Sequence, residues 1–354
     1  PWKDEAEYRF FHPKSDDQKQ IKLKQRKGKL ERKSQSYELR YDCPKQASID
    51  QQSSPIDLPP AIYGAFQHHL LFVPQGKLIF CGIPKVGITE WLKFFRFAWG
   101  ARDYLSFPHL KSDREGFFMK SLERIKAKTI LSDPSWTKAV FFRDPAERLL
   151  SAYLDKVQGA AYTQKIFKIG SLDDKDRPIL SFPEFVDLVA HNNTNDVADP
   201  RGLHGGTDPH WKPQMMTCGL DYLLPHFDFI GSMEHISEHT KLLLEKVGMW
   251  DDYGSKFDDG HDLPKVGSAC FVAPPDRSAS NTTVNGFNQR GTTSKHATGS
   301  KSKFEKYYAP ELLEKVRKVY AIDYAIWDDL KRLPSDEVAS GQDLESVQNH
   351  CNKS

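Results

Sequence analysis

The stretch Ile83-Pro-Lys-Val-Gly-Ile-Thr-Glu-Trp91 constrains the fold of this chain more than any other. A strand-like run, Lys77-Leu-Ile-Phe-Cys81, precedes it, and a helix-like run, Glu90-Trp-Leu-Lys-Phe-Phe-Arg-Phe97, follows. A strand, a tight glycine-containing loop and a helix start make an anion site, because the first amides of the helix have no partner within it and its dipole points at the loop. Lys85 adds a mobile full charge, Thr89 a hydroxyl donor and Ile88 a backbone N–H. A Walker A loop has Lys directly after its second glycine. Gly82 and Gly87 have the Walker spacing, yet Ile88 stands where that Lys belongs, and Lys85 lies two residues before Gly87 instead.

A second segment repeats the pattern. Ala139-Val-Phe-Phe142 reads as a short buried strand running into Arg143-Asp-Pro-Ala-Glu-Arg-Leu-Leu-Ser-Ala-Tyr153. Asp144 suits an N-cap, Pro145 the first helical position, and Glu147 completes a capping box. Leu149, Leu150, Tyr153, Leu154 and Val157 mark one apolar helical face, while Arg148, Ser151 and Asp155 fall together on another.

The first segment resembles the 5′-phosphosulfate loop of sulfotransferases, P-K-x-G-T-T-x-[WL]. The second resembles their 3′-phosphate site, R-x-P-x-x-R-x-x-S-x-Y, with Arg143, Pro145, Arg148, Ser151 and Tyr153 all in place. Further motifs recur in order: Phe182-Pro-Glu-Phe-Val186, His210-Trp-Lys-Pro213 with Cys218, Phe227-Asp-Phe-Ile-Gly231 with Glu234, Lys303-Phe-Glu-Lys-Tyr-Tyr308, and Tyr320-Ala-Ile-Asp-Tyr324. Over roughly residues 70–330 the chain is similar to the Golgi carbohydrate sulfotransferases, most of all to the chondroitin/dermatan 4-O-sulfotransferase branch. It departs from them at Ile88, where the loop usually has Thr, Ser or Cys, and after Cys218, where a second cysteine is missing.

The resemblance implies an α/β fold, a parallel sheet flanked by helices with P-loop-like nucleotide binding. It implies 3′-phosphoadenosine-5′-phosphosulfate as donor and a glycan or polysaccharide hydroxyl, expected to be anionic, as acceptor. Lys85, Val86, Gly87, Ile88, Thr89 and Glu90 would hold the 5′ end, and Arg143 and Ser151 the 3′-phosphate. Arg148 either joins them or ion-pairs with Asp144 or Asp155. A neutral His or an ionised Glu would take the acceptor proton: His210 and His109 are the candidates, with Glu234 behind them. The Gly299-Ser-Lys-Ser-Lys303 stretch either closes the 3′-phosphate site or is a solvated basic turn. Lys212 and the stretch from Arg290 to Lys303 are the basic candidates for the acceptor side. No cysteine pair has zinc spacing and no metal is expected. The rivals are a P-loop small-molecule kinase, which the displaced Lys85 opposes, and a catalytically inactive nucleotide-binding scaffold of the same fold.

Composition narrows the partners. The chain has 354 residues and a net charge of +2, so no global field favours nucleic acid or a membrane surface. Mean hydropathy is −0.61 and no apolar run reaches transmembrane length. The chain starts at Pro1 without a methionine, and the expectation is a Golgi-lumenal type II protein whose membrane anchor is absent from this chain. Residues 1–55 read as a charged stem, 56–333 as the catalytic domain and 334–354 as a polar tail. Asp251 to Ser302 reads as one long irregular stretch. Five cysteines leave at least one unpaired, and Cys81, in the core strand, reads as a buried thiol.

Overall fold

The computed structural model describes residues 69–101, 103–105, 108–158, 180–195, 208–259 and 299–344. The chain divides into two compact units. The unit built from Arg40–Asp155 and Phe182–Ser354 holds the sheet, the helices packed on it and every site residue discussed below. The other, Pro1–Leu39 with Lys156–Ser181, contributes residues 156–158 and 180–181 to the described set. The expected stem at 1–55 lies outside the described residues.

Four strands form one sheet in the order β1 (Leu70–Val73), β2 (Leu78–Cys81), β3 (Thr137–Phe142) and β4 (Phe229–Ser232). β2, β3 and β4 run parallel, with Cys81 beside Val140 and Phe142 beside Ser232. The expectation of a wholly parallel sheet needs one amendment: β1 pairs antiparallel with β2. Only the three residues Pro74–Gly76 link the end of β1 to Lys77, too few for the crossover that a parallel pair requires. Nearly every strand residue is buried, as expected where helices cover both faces.

The helices are α1 (Ile88–Ala98), α2 (Pro108–Arg114), α3 (Arg124–Ser132), α4 (Pro145–Ala152), α5 (Phe182–Asn195), α6 (Ile236–Lys246), α7 (Ser300–Tyr307), α8 (Pro310–Val319) and α9 (Ala321–Leu330), besides shorter turns. α1 turns Trp91, Leu92, Phe94, Phe95 and Ala98 inward. Trp91 lies 4.5 Å from the Phe80 ring and 5.3 Å from Phe141, fastening α1 to β2 and β3. Trp91 is therefore a core residue.

Two boundaries move. Ile230 on β4 takes an antiparallel bridge from Ala339, and Gly341 donates to Phe227 O at 2.9 Å. The fold therefore continues past Leu333, through residues first read as a polar tail. The stretch from Asp251 to Ser302 is helical at both described ends, with a π turn at Trp250–Gly254, a short helix at Ser255–Asp259 and the start of α7. Residues 260–298 lie outside the described residues. The largest correction concerns Cys81, which is bonded to Cys218 and is not a free thiol. The bridge ties the end of β2 to the loop at Thr217–Gly219 and closes a span of 137 residues. Cys43, Cys270 and Cys351 lie outside the described residues.

Candidate active site

The parallel strands β2 and β3 end side by side, and each continues into a loop and a helix start. This is where ligands bind in α/β sheets. After β2, Lys85 and Gly87 both take left-handed backbone conformations, at φ 68° and 71°. Gly87 suffers no Cβ penalty there. Lys85 does, and such strain in a non-glycine residue marks sites where geometry is imposed. No side chain caps α1. The Ile88 and Thr89 amides, the first two of the helix, thus have no partner within it and are available to an anion.

The unusual Ile88 has a packing reason. A Cβ added at Gly82 would lie 2.2 Å from Ile88 Cδ1, so the Ile88 side chain covers the backbone of Gly82 while its N–H remains at the loop. Two of the proposed loop residues have other duties. Val86 is buried and gives its N–H to Ile83 O at 3.2 Å. Glu90 pairs with Lys93 at 2.8 Å, and its amide donates to Gly87 O.

The loop's carbonyls, which would repel an anion, are held by two arginines from the β3–α4 segment. Arg143 Nη1 donates to Lys85 O at 3.1 Å. Arg148 Nε donates to Pro84 O at 2.9 Å. The Asp144 cap forms as the sequence predicts, accepting from Glu147 N at 2.9 Å, a contact of about 1 kcal/mol. Arg143 Nη2 also donates to Ser300 Oγ at 2.6 Å and lies 3.5 Å from Glu147. Burial pushes the Arg143 guanidinium pKa down, and Glu147 acts against that. Ser151 lies two turns along the same helical segment and is buried. The Gly299–Lys303 stretch is a helix start, and its Ser300 reaches Arg143.

Arg148 does not take the expected ion pair with Asp144 or Asp155. The residue is 1% exposed, and its guanidinium donates to three carbonyls: Pro84, Lys212 at 2.6 Å and Pro209 at 3.0 Å. Burial depresses its pKa as well. One buried cation thus fastens the residue before Lys85 to the residues on either side of His210 and Trp211. The backbone that carries His210 is tied to the loop by this route. His210 Nδ1 lies 2.5 Å from Asp208 Oδ1, which also accepts the His210 amide at 2.9 Å. An ionised carboxylate only accepts, so Nδ1 carries the proton and Nε2 is the basic nitrogen. His109, exposed on α2, meets the loop directly: its Nε2 sits 2.9 Å from Thr89 Oγ1. Glu234 is exposed beyond β4.

Sequence reasoning missed three supports. Asp208 stands two residues before His210, a spacing too common to draw notice. Gln214 is fully buried, accepts from Arg143 N at 3.0 Å and donates to Arg143 O at 2.8 Å, completing the backbone of the residue that follows β3. Asp323 on α9 accepts from Gln214 N at 2.8 Å and Met215 N at 3.0 Å. Burial raises the Asp323 pKa to about 6 against these two hydrogen bonds and the Arg148 charge. The Tyr320 hydroxyl donates to Trp211 O. Among the described residues, no group of three or more His, Cys, Asp or Glu side chains could hold a metal ion, and no helix is long and apolar enough to cross a membrane.

A family model described as "Sulfotransferase family" matches residues 68–328. The chain is 27% identical over 210 residues to human carbohydrate sulfotransferase 9, covering 52% of this chain and 44% of that protein. It is 26% identical over 204 residues to human carbohydrate sulfotransferase 14, covering 54% and 50%. Mouse carbohydrate sulfotransferase 11 is 24% identical over 200 residues, covering 51% and 53%. The chain spans about half the length of the curated relatives it matches. No solved structure matches it.

Proposed function

The chain belongs to the sulfotransferase family, and from that premise we propose that it transfers a sulfuryl group from 3′-phosphoadenosine-5′-phosphosulfate to a hydroxyl of an anionic glycan. The observation that carries this reading is the pair of cations at adjacent strand ends. Lys85 stands at the loop after β2 and Arg143 at the end of β3, linked through Lys85 O. A donor with phosphate at both its 5′ and 3′ positions needs two such centres, whereas ADP can fill one.

In the proposed reaction the acceptor oxygen gives its proton to His210 Nε2 and forms a bond to sulfur. The bond from sulfur to the bridging phosphate oxygen breaks, and 3′-phosphoadenosine 5′-phosphate leaves. Lys85 and the Ile88 and Thr89 amides offset the charge that builds on that oxygen. Arg143 and Ser151, with Ser300 beside Arg143, form the 3′-phosphate end. Lys212 is proposed to guide the acceptor chain. The relatives' names support a carbohydrate acceptor, and the further motifs support the chondroitin/dermatan 4-O branch. The Cys81–Cys218 bridge supports an oxidising compartment, in keeping with the Golgi lumen.

Calorimetry with 3′-phosphoadenosine 5′-phosphate and with ADP tests the donor. The expected result is much tighter binding of the first, and equal affinities would sink the assignment. Labelled donor offered to a panel of desulfated glycans tests the acceptor.

A further inference from the structure

Lys85 has a partner that a phosphate-binding lysine would not be expected to have. Its Nζ lies 2.9 Å from Asp155 Oδ2, and the two side chains are only 7% and 6% exposed. Asp155 belongs to a single π turn, Tyr153–Val157, that continues α4. Isolated π turns inside helices recur at functional sites, because the inserted residue re-aims the side chains that follow it. The same segment thus directs one cation, Arg148, at the carbonyl of Pro84, and one anion, Asp155, at the ammonium of Lys85.

We propose that Asp155 is a positioning residue for the transfer: it fixes the Lys85 ammonium at the loop and competes with the nucleotide's 5′-phosphate for it. The inference rests on the sulfuryl-transfer reading above. A phosphate that reaches Lys85 enters the field of a nearly buried carboxylate. Like charges repel strongly at such distances where water is largely excluded. A lysine without that neighbour would hold ground state and product as firmly as the transition state, which gains nothing in rate. With Asp155 in place, Lys85 is part-neutralised toward the 5′-phosphate in the ground state. It stays positioned for the charge that develops on the bridging oxygen.

The predicted signature is opposite movement of affinity and rate. Asp155→Asn keeps the shape and an oxygen for Lys85 and removes the charge. In the full chain it should bind 3′-phosphoadenosine 5′-phosphate about tenfold more tightly by calorimetry, lower the donor KM and lower kcat. Asp155→Glu, which keeps the charge, should stay within about twofold of wild type in affinity. A merely structural role would weaken binding and rate together. Wild type that binds the nucleotide, with Asp155→Asn binding equally or less tightly, would overturn the role of Asp155 alone. Should Asp155→Asn fail to fold, Asp155→Glu decides: a gain in affinity there refutes the competition. Wild type that does not bind the nucleotide would overturn the donor reading itself.

Discussion

The two sides of the site are built in different ways. On the proposed donor side, Lys85 and Arg143 each follow a core strand and precede a helix. Their placement follows from local geometry, since strand, loop and helix fix the direction of the amides. On the opposite side, the residues from Asp208 to Met216 form two short turns, one in which Asp208 O accepts from Trp211 N and Lys212 N and a 3-10 turn at Gln214–Met216. They are held from outside by Arg148, Tyr320 and Asp323. A binding loop on regular elements can be read from its neighbours in sequence. A segment held by distant side chains can be displaced by a change far from the chemistry. The donor side should therefore fail in its own residues, and the His210 side in its supports as well.

The largest expected effect separates the two sides. His210→Ala should lower transfer by about 10²- to 10⁴-fold, the range for loss of a general base, with nucleotide affinity unchanged. His109→Ala, measured in parallel, should retain most activity. An active His210→Ala beside an inactive His109→Ala that still binds nucleotide would move the base to α2. Next comes Lys85→Ala, expected to reduce kcat about 10²- to 10³-fold, with a smaller change in product-nucleotide affinity.

The support of the His210 side can be probed through Asp323. Burial pushes its folded-state pKa up to about 6 from the ordinary value of 3.8. A raised carboxylate pKa gives stability that is full below pH 3.8 and is lost as pH rises through 6. The total loss is roughly 3 kcal/mol, about 1 kcal/mol of it between pH 5 and 7. Chemical denaturation of wild type against Asp323→Asn at those two pH values reads this directly. Wild type should lose ground to the variant as pH rises, and a constant gap would contradict it. Arg143→Ala should weaken 3′-phosphoadenosine 5′-phosphate binding by about 10- to 100-fold, as removal of a charge-assisted contact does. It should still fold, because Gln214 bonds its backbone and not its side chain. The smallest expected effect is none: chelator should leave transfer intact, since Lys85 and the loop amides are proposed to neutralise the leaving group. Activity lost in chelator and restored by magnesium would favour the kinase rival.

The sequence by itself determined the local frame of the proposed donor side: two strand–loop–helix units, the Asp144 cap, and the places of Lys85 and Arg143 within them. Each rests on neighbours within a few residues, where hydrophobic period, capping and turn chemistry act. Tertiary structure alone decided which partners those residues keep. Arg148 binds carbonyls 61 to 64 residues away, Arg143 meets Ser300 across 157, and Asp323 reaches Gln214 across 109. The Cys81–Cys218 bridge spans 137. Such contacts leave no period in the chain. They form because buried guanidinium and carboxylate groups must find partners once the core has closed, and closure of the core is what selects the partners within reach.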